Sequence, residues 1–499
     1  MSISEQRRIY KQHRAVYLTI PKNSAIEPRQ RVMKRGFLTA AKGKKALSKA
    51  TAPNAVSQSV PDPRPDHSGT KKTQTEDVLP EFLRDYNPKL SIGKVEQTGL
   101  PDGYVPWLPE VKQDDSDNPS RFRDDDLVIT TQPYTAIGAK FADVPGGFTK
   151  CLLSGHARRL ILRAPGFPRP PPQPKNGLPF RVMEIPGKGL GVVATQDLKA
   201  GDLILSERPI LVAGSSSALL NPPMQKLSGL THEQIRQVLL YEMEKLLEQL
   251  FAQLPEEQQK AYMALHNCHL EDGSGPLMGI KRTNGFNLTG LCDQGDKATY
   301  AGVFDTLSRL NHSCNVNAKR KWDMSSFSMT LKAFRPIPAG TEIVISYISD
   351  THLLTSERQA QLAPYGFTCT CPTCSDPAAS DAVRAKLSSM NVKAEPLIAA
   401  WAHDRTLPDD HLLKPALANL ALLERECLEY HGAYMSTLFL VMRAYVVLGN
   451  VKEVARYGAI IVDTQQAVWG PGKALDAFRV FAKPGAFMGD PLWGVRKKI

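Results

Sequence analysis

The chain is 499 residues long, 42% hydrophobic and 22% charged, with eight cysteines and a formal net charge of +12. That is room for two or three domains with real cores, and no run suits a bilayer: the apolar stretch from Met435 to Leu448 is short and broken by Arg443. The start, Met1-Ser2-Ile3-Ser4-Glu5, lacks the apolar core of a signal peptide, so the expected location is nucleus or cytoplasm, where cysteines serve as thiols or metal ligands rather than as a disulfide framework.

Residues 1–60 carry six Arg and seven Lys against two Glu, a net +11, which leaves the remainder close to neutral. Such an arm could touch nucleic acid, an anionic membrane or an import receptor; a solvated tail is the plain alternative. Residues 1–127 are expected to be basic and largely disordered, because Ala41 to about Asn118 is rich in Lys, Ser, Pro, Thr and Asp with little hydrophobic periodicity. Over 128–177, an apolar stretch without a clear period leads into the six prolines between Pro165 and Pro174, which read as a stiff extended linker.

The main folded domain is expected over 178–350. Its first strand, Arg181 to Ile185, meets the turn Gly187-Lys188-Gly189-Leu190-Gly191, and Val192-Val193-Ala194 follows. Ala194–Ser206 and Ala333–Ser346 echo each other at an offset of 139 residues, each a strand, an Ala-Gly turn and a second apolar strand. They read as β-rich halves of one domain, split by a helical insertion over about 213–285. There Thr231 and Gln234 form a capping box, apolar residues from Ile235 to Leu254 keep a 3-and-4 spacing, and Pro255 opens a second helix. After a cysteine-bearing segment at 351–376, residues 377–499 read as all helical, and the pattern around Ala444, Leu448-Gly449 and Ala455 looks like one tetratricopeptide-type hairpin.

The chemistry concentrates in three places. Asn311-His312-Ser313-Cys314 sets four polar side chains between Leu310 and Val316, where burial is expected and every polar group needs a partner. Glu342 to Tyr347 reads as a strand with Ile343, Ile345 and Tyr347 on one face, and by position alone Tyr347 is a core residue tethered at its hydroxyl. Cys369, Cys371 and Cys374 can converge on one ion, and tetrahedral zinc then lacks only a fourth ligand. Cys314 is the natural candidate if the segment folds back; a different site built from His266, Cys268, His269 and Cys292 is the alternative. Gly189-x-Gly191 alone is weak, being as well explained by a hairpin turn.

Taken together, Gly189-x-Gly191, Arg309-Leu-Asn-His-Ser-Cys314, Gly340-Thr-Glu-Ile-Val-Ile-Ser-Tyr347 and Tyr365-Gly-Phe367-Thr-Cys369-Thr-Cys371-Pro-Thr-Cys374 resemble a SET domain with its post-SET cysteines. The style is that of the SET-and-MYND subgroup, without the MYND zinc finger, since no Cys/His cluster occurs between Ser206 and Leu265. The resemblance implies an α+β fold: a β-rich SET domain with a helical insertion, a zinc-binding post-SET segment and an all-α C-terminal domain. It implies methyl transfer from S-adenosylmethionine to a lysine of a protein substrate, histone or otherwise basic. Lys188, Gly189, Leu190, Asn284, Asn311, His312 and Phe367 would then bind cofactor, Tyr347 would be catalytic, and Phe286, Tyr347 and Tyr365 would line the lysine channel. Cys314, Cys369, Cys371 and Cys374 would hold structural zinc. The alternatives are a non-catalytic SET-fold scaffold that binds a protein partner, and a nucleic-acid binder acting through residues 1–60.

Overall fold

The computed structural model describes residues 100–134, 140, 143–214, 219–220, 224–291, 300–469, 479–483, 485 and 487–497. The basic arm at 1–60, with any contact it makes, lies outside them. In chain order come β1 (Val111–Gln113), β2 (Leu127–Gln132), β3 (Thr149–Ser154), α1 (Gly155–Leu162), β4 (Phe180–Ile185), β5 (Gly189–Ala194), β6 (Leu203–Glu207) and β7 (Leu211–Gly214). The insertion supplies α2 (His232–Phe251), α3 (Glu256–Met263) and α4 (Pro276–Asn284), followed by β8 (Phe286–Leu288), β9 (Tyr300–Val303), β10 (Ala318–Asp323), β11 (Ser328–Ala333) and β12 (Glu342–Ile343).

These strands form a mixed six-stranded sheet in the order β1-β2-β3-β7-β9-β8 and two three-stranded sheets, β10-β11-β6 and β12-β5-β4. The expected domain start at 178 is corrected by the first sheet: residues 111–162 supply three of its strands and α1, which packs beside β3. Every residue of β2 is buried, so the strand lacks the polar alternation that marks a one-sided sheet. The Pro-rich stretch is docked rather than a spacer, since Arg169 pairs with Asp323 at 2.5 Å and the Phe167 ring meets Phe327 edge-on at 6.4 Å.

The 139-residue echo is a pairing. Leu198 and Ile337 exchange two backbone hydrogen bonds of 2.9 Å, and the flanking bonds repeat with pseudo-twofold symmetry: Gly201 N to Ala333 O and Gly340 N to Ala194 O, both 2.8 Å. The two turns need glycine for conformation alone, because Gly201 has φ +90° and Gly340 φ +80°, yet a Cβ at either would meet nothing within 4 Å. Gly201→Ala and Gly340→Ala are therefore each expected to cost about 1–2 kcal/mol through the left-handed backbone, read as a lowered urea midpoint without loss of metal.

In the insertion both hydrogen bonds of the Thr231/Gln234 capping box are present, and Val238, Met243, Leu246, Leu247 and Leu250 are fully buried. Glu244, on the same buried face, accepts Leu277 N at 2.9 Å and Met278 N at 2.6 Å and so anchors the first turn of α4. A Cβ at Gly275 would lie 2.3 Å from the Glu244 carboxyl carbon, hence the glycine there.

Beyond β12 come α5 (Thr355–Leu362), α6 (Pro377–Arg384), α7 (Ala394–His403), α8 (Leu413–Arg425), α9 (Gly432–Val447) and α10 (Val451–Trp469). The helices from α6 onward share a separate core built around Trp401, Leu423, Leu428 and Val441. It docks on the β-rich domain through Arg384, which binds Thr351 O at 3.1 Å and Glu426 at 2.7 Å, and through the two-pronged pair of Arg335 with Glu429 at 2.7 and 2.9 Å. Four acidic residues of this helical domain have partners within it. Glu426 is buried on Arg384, Glu424 takes the Tyr434 hydroxyl, Asp409 pairs with Arg496, and Asp404 caps the turn at Thr406. No helix among the described residues is long and apolar enough to cross a membrane.

Candidate active site

Two segments distant in sequence are threaded side by side at the centre of the β-rich domain. His312 bridges Ile345 in parallel register, with Ser313 N bonded to Ile345 O at 2.9 Å and Ile345 N to Asn311 O at 3.1 Å. The strand expected to run to Tyr347 ends at Ile343, because the next amides are taken elsewhere: Val344 N by Asn317 Oδ1 at 2.8 Å and Tyr347 N by His312 Nδ1 at 3.0 Å. Val344 and Ile345 are buried on opposite sides of the chain, so this segment is covered on both faces. Tyr347 lies in the bend beyond, and its hydroxyl donates to Leu310 O at 2.8 Å.

The crossing opens onto a cleft of about 910 Å³, lined by Lys188, Gly189, Leu190, Asn284, Phe286, Asn311, His312, Tyr347, Tyr365 and Phe367. All the residues expected to bind cofactor or lysine are thus brought to one cavity, of a size suited to a cofactor. Gly187 and Gly189 both take positive φ, +73° and +70°, and the β4–β5 turn they shape lies open at the cleft. Gly191 is needed for closeness: a Cβ there would fall 2.5 Å from Ile185 and 2.9 Å from Asn311 Nδ2. Asn311 Nδ2 binds Leu190 O at 3.2 Å and Glu342 Oε1 at 2.8 Å, while Glu342 Oε2 takes Lys188 Nζ at 2.7 Å. The ion pair itself, with Lys188 half exposed, contributes little. Its consequence is geometric, since one carboxylate holds both the Gly-turn and the Asn311 amide.

His312 is buried, and that burial pushes its imidazole down to about 4, so the ring is neutral at physiological pH. With Nδ1 accepting from Tyr347 N, the proton sits on Nε2, which faces Cys314 Sγ at 3.4 Å. Three rings form one wall, with Tyr347 4.9 Å from Tyr365 and 6.4 Å from Phe367, while Phe286 packs edge-on against Phe304 at 5.6 Å. Gly366, with φ +77°, turns the chain between Tyr365 and Phe367. Asn284 spends its amide donors on His266 O at 2.7 Å and Ile280 O at 2.9 Å, which fastens the end of α4 to the loop at 264–266.

Cys314, Cys369, Cys371 and Cys374 converge, their sulfurs all within 4.8 Å of one another, and Cys314 lies 3.6 Å from Cys374. Among the described residues this is the one such group; of the alternative set, His269 pairs with Asp272 at 2.5 Å and Cys292 lies outside the described residues. Zinc–sulfur bonds of about 2.3 Å in a tetrahedron set sulfurs roughly 3.8 Å apart, so the four thiols fit that ion. Mutual hydrogen bonding among the four thiols, first from Cys314, lowers Cys371 and Cys374 and leaves Cys314 and Cys369 raised, so without an ion they share protons as one group. Helix α5 builds the outer frame. Gln359 clamps Cys369 at both its N–H and its carbonyl, at 2.9 and 2.7 Å, and the fully buried Arg358 donates to Cys374 Sγ at 3.5 Å. A buried guanidinium beside four thiolates offsets the negative charge left after a divalent ion binds.

Glu342, Arg358 and Gln359 were missed in the sequence because their partners are set by tertiary contact. Only the i, i+10 spacing of Gln359 and Cys369 is local enough to have hinted at a clamp.

Comparison with known proteins agrees with this architecture. Residues 189–348 match the family model of the SET domain. The protein named histone-lysine N-methyltransferase set5 from Schizosaccharomyces pombe is 29% identical over 197 residues, 39% of this chain and 50% of that protein. Histone-lysine N-methyltransferase Smyd1 of Mus musculus is 28% identical over 109 residues, 20% of this chain and 22% of that protein. The chain thus spans about half the length of the first relative and less of the second. The solved SET domain of LSMT bound to lysine and AdoHcy is similar over 63% of this chain and 85% of its own, at 16% identity and a TM-score of 0.23, too low for its ligands to bear on this chain.

Proposed function

We propose that this chain, which carries a SET domain over residues 189–348, is an S-adenosylmethionine-dependent protein-lysine N-methyltransferase. The observation that supports it most is the gathering of the Gly-turn, Asn311, His312, Tyr347 and the aromatic wall around one cleft. S-adenosylmethionine, when bound, supplies an electrophilic methyl group on a sulfonium. Transfer of that group needs little covalent help, so the residues' work is alignment.

Lys188, Gly189 and Leu190 would meet the cofactor through the open turn backbone, Asn311 and His312 through side chains already fixed by Glu342 and Tyr347 N, and Phe367, 39% exposed, through its ring face. Asn284 retains its amide oxygen as an acceptor beyond its two donated bonds. Phe286, Tyr347 and Tyr365 would strip water from an entering lysine, which lowers its pKa and favours the nucleophilic free amine. Zinc on the four cysteines would be structural, tying the 311–314 loop to the segment that carries Phe367. We read the α9–α10 hairpin, with Gly449 at φ +66° in its corner and Tyr445 stacked on Tyr457 at 5.6 Å, as tetratricopeptide-like. The relatives' names make histone lysines the first substrates to try and nucleus or cytoplasm the compartments to examine.

Isothermal titration of the full chain with S-adenosylmethionine, followed by labelled methyl transfer to histones and to a whole protein extract with mass spectrometry, tests this. Saturable binding and methyl-lysine are expected. No binding and no methyl-lysine would leave a SET-fold scaffold.

A further inference from the structure

Glu207, the last residue of β6, lies outside every motif that carries the resemblance and contributes nothing to the cleft lining. Yet its carboxylate accepts three consecutive backbone amides: Asp305 N at 3.0 Å and Thr306 N at 2.9 Å on Oε1, and Leu307 N at 2.9 Å on Oε2. Leu307 N is the first free donor of the 3₁₀ turn Leu307–Arg309, which has no side-chain cap of its own, and the amides of Asp305 and Thr306 lead into it. Loss of solvation pushes the Glu207 carboxyl up to about 7, opposed by the three amides. A charged side chain placed there at that cost fixes the entry of the turn from a different sheet.

What leaves the turn is the site. Leu310 O receives the Tyr347 hydroxyl at 2.8 Å, Asn311 reaches the Gly-turn at Leu190 O, and His312 Nδ1 receives Tyr347 N. Within the turn, Ser308 Oγ accepts Phe304 N at 3.1 Å and donates to Asn284 O at 3.2 Å, so the insertion side of the cleft is keyed to the same few residues. Of the three lysine-channel residues, Tyr347 takes part in these bonds through its hydroxyl and its N–H, and Phe286 and Tyr365 do not.

We propose that Glu207 is a positioning residue for cofactor binding, acting through the 305–309 turn to set Leu310, Asn311 and Asn284 at once. The inference rests on the methyltransferase reading for its ligand, though not for its geometry. A carboxylate serves three amides with two oxygens, whereas an amide side chain offers a single acceptor oxygen and sets an N–H₂ donor against the remaining N–H. Glu207→Gln therefore releases at least one amide and repels it, with hardly any change in volume.

The test uses the full-length zinc-loaded chain at pH 8, above the titration of Glu207. In Glu207→Gln, hydrogen exchange of the Asp305, Thr306 and Leu307 amides is expected to quicken at least tenfold. The dissociation constant for S-adenosylmethionine should rise about tenfold, while the KM for a lysine substrate stays within twofold, the zinc content holds and Tm falls by no more than the few degrees that one lost amide bond costs. A purely structural role would lower Tm, zinc and both affinities together, and that result overturns the proposal, as do unchanged exchange and unchanged cofactor affinity. Should Glu207→Gln not fold, Ser308→Ala cuts the turn's link to Asn284 and should show the same split between cofactor and lysine substrate; equal effects on both overturn it. If the wild-type chain binds no cofactor, the activity reading falls, and the exchange rates still decide whether Glu207 holds the turn.

Discussion

Cys371→Ser is expected to come through purification without zinc and without measurable affinity for cofactor. The four sulfurs lie close enough for one tetrahedral ion, and the tie they make is long in sequence, from the 311–314 loop to the segment at 369–374. Structural zinc contributes on the order of 10 kcal/mol to its fold. Removing one ligand leaves three buried thiolates that cannot complete the shell, and Arg358 facing charge without the ion. The loss should spread in two directions. Phe367 stands two residues before Cys369, so its ring would leave the cleft, and Cys314 would no longer brace His312 Nε2 at 3.4 Å. Metal analysis and cofactor titration on the same sample decide the matter, and chelation of the wild-type chain should reproduce the mutant. A Cys371→Ser protein that kept one zinc per chain would sink the four-cysteine assignment.

Much of the site was legible because its parts are local. A C-x-C-x₂-C run and the tetrapeptide Asn311 to Cys314 declare their chemistry within a few residues, and the capping box at Thr231 needs only the i, i+3 spacing. The repeat at offset 139 was visible as well, although that its halves bond to each other across Leu198 and Ile337 was not. What escaped were features whose cause is tertiary. Strand β2 is buried on both faces, so Leu127–Gln132 shows no period that separates it from a buried helix. The segment after Ile343 alternates like a strand, yet Asn317 and His312 side chains take the amides that a neighbouring strand would have used. In the helical domain Glu426 and Asp409 find their partners in Arg384 and Arg496, which are far away in sequence. A charge can be counted from sequence, but its partner is fixed only by the fold.

Tyr347→Phe is expected to keep the fold, the zinc and the cofactor affinity while lowering turnover by about 10²–10³-fold, or roughly 3–4 kcal/mol of transition-state stabilisation. The ring's place is secured without its hydroxyl: it packs at 4.9 Å from Tyr365 and 5.4 Å from His312, and its backbone N–H is held by His312 Nδ1. Losing the bond to Leu310 O should cost about 1 kcal/mol of stability, the ordinary worth of one hydrogen bond. The kinetic loss is larger because of where the oxygen is held. By donating its proton to Leu310 O, the hydroxyl is fixed in rotation and presents lone pairs rather than hydrogen to its surroundings. An oxygen so oriented can accept C–H contacts from a polarised methyl, each weak but strengthening as positive charge spreads onto that group in the transition state. Phenylalanine keeps the aromatic wall and removes that acceptor. The expected signature is therefore a fall in kcat with cofactor Kd changed less than about threefold, measured by single-turnover methyl transfer beside calorimetric titration. Unchanged turnover would return Tyr347 to the role its position alone suggests, a core residue tethered at its hydroxyl, and would move the search for the catalytic oxygen to Tyr365 across the stack.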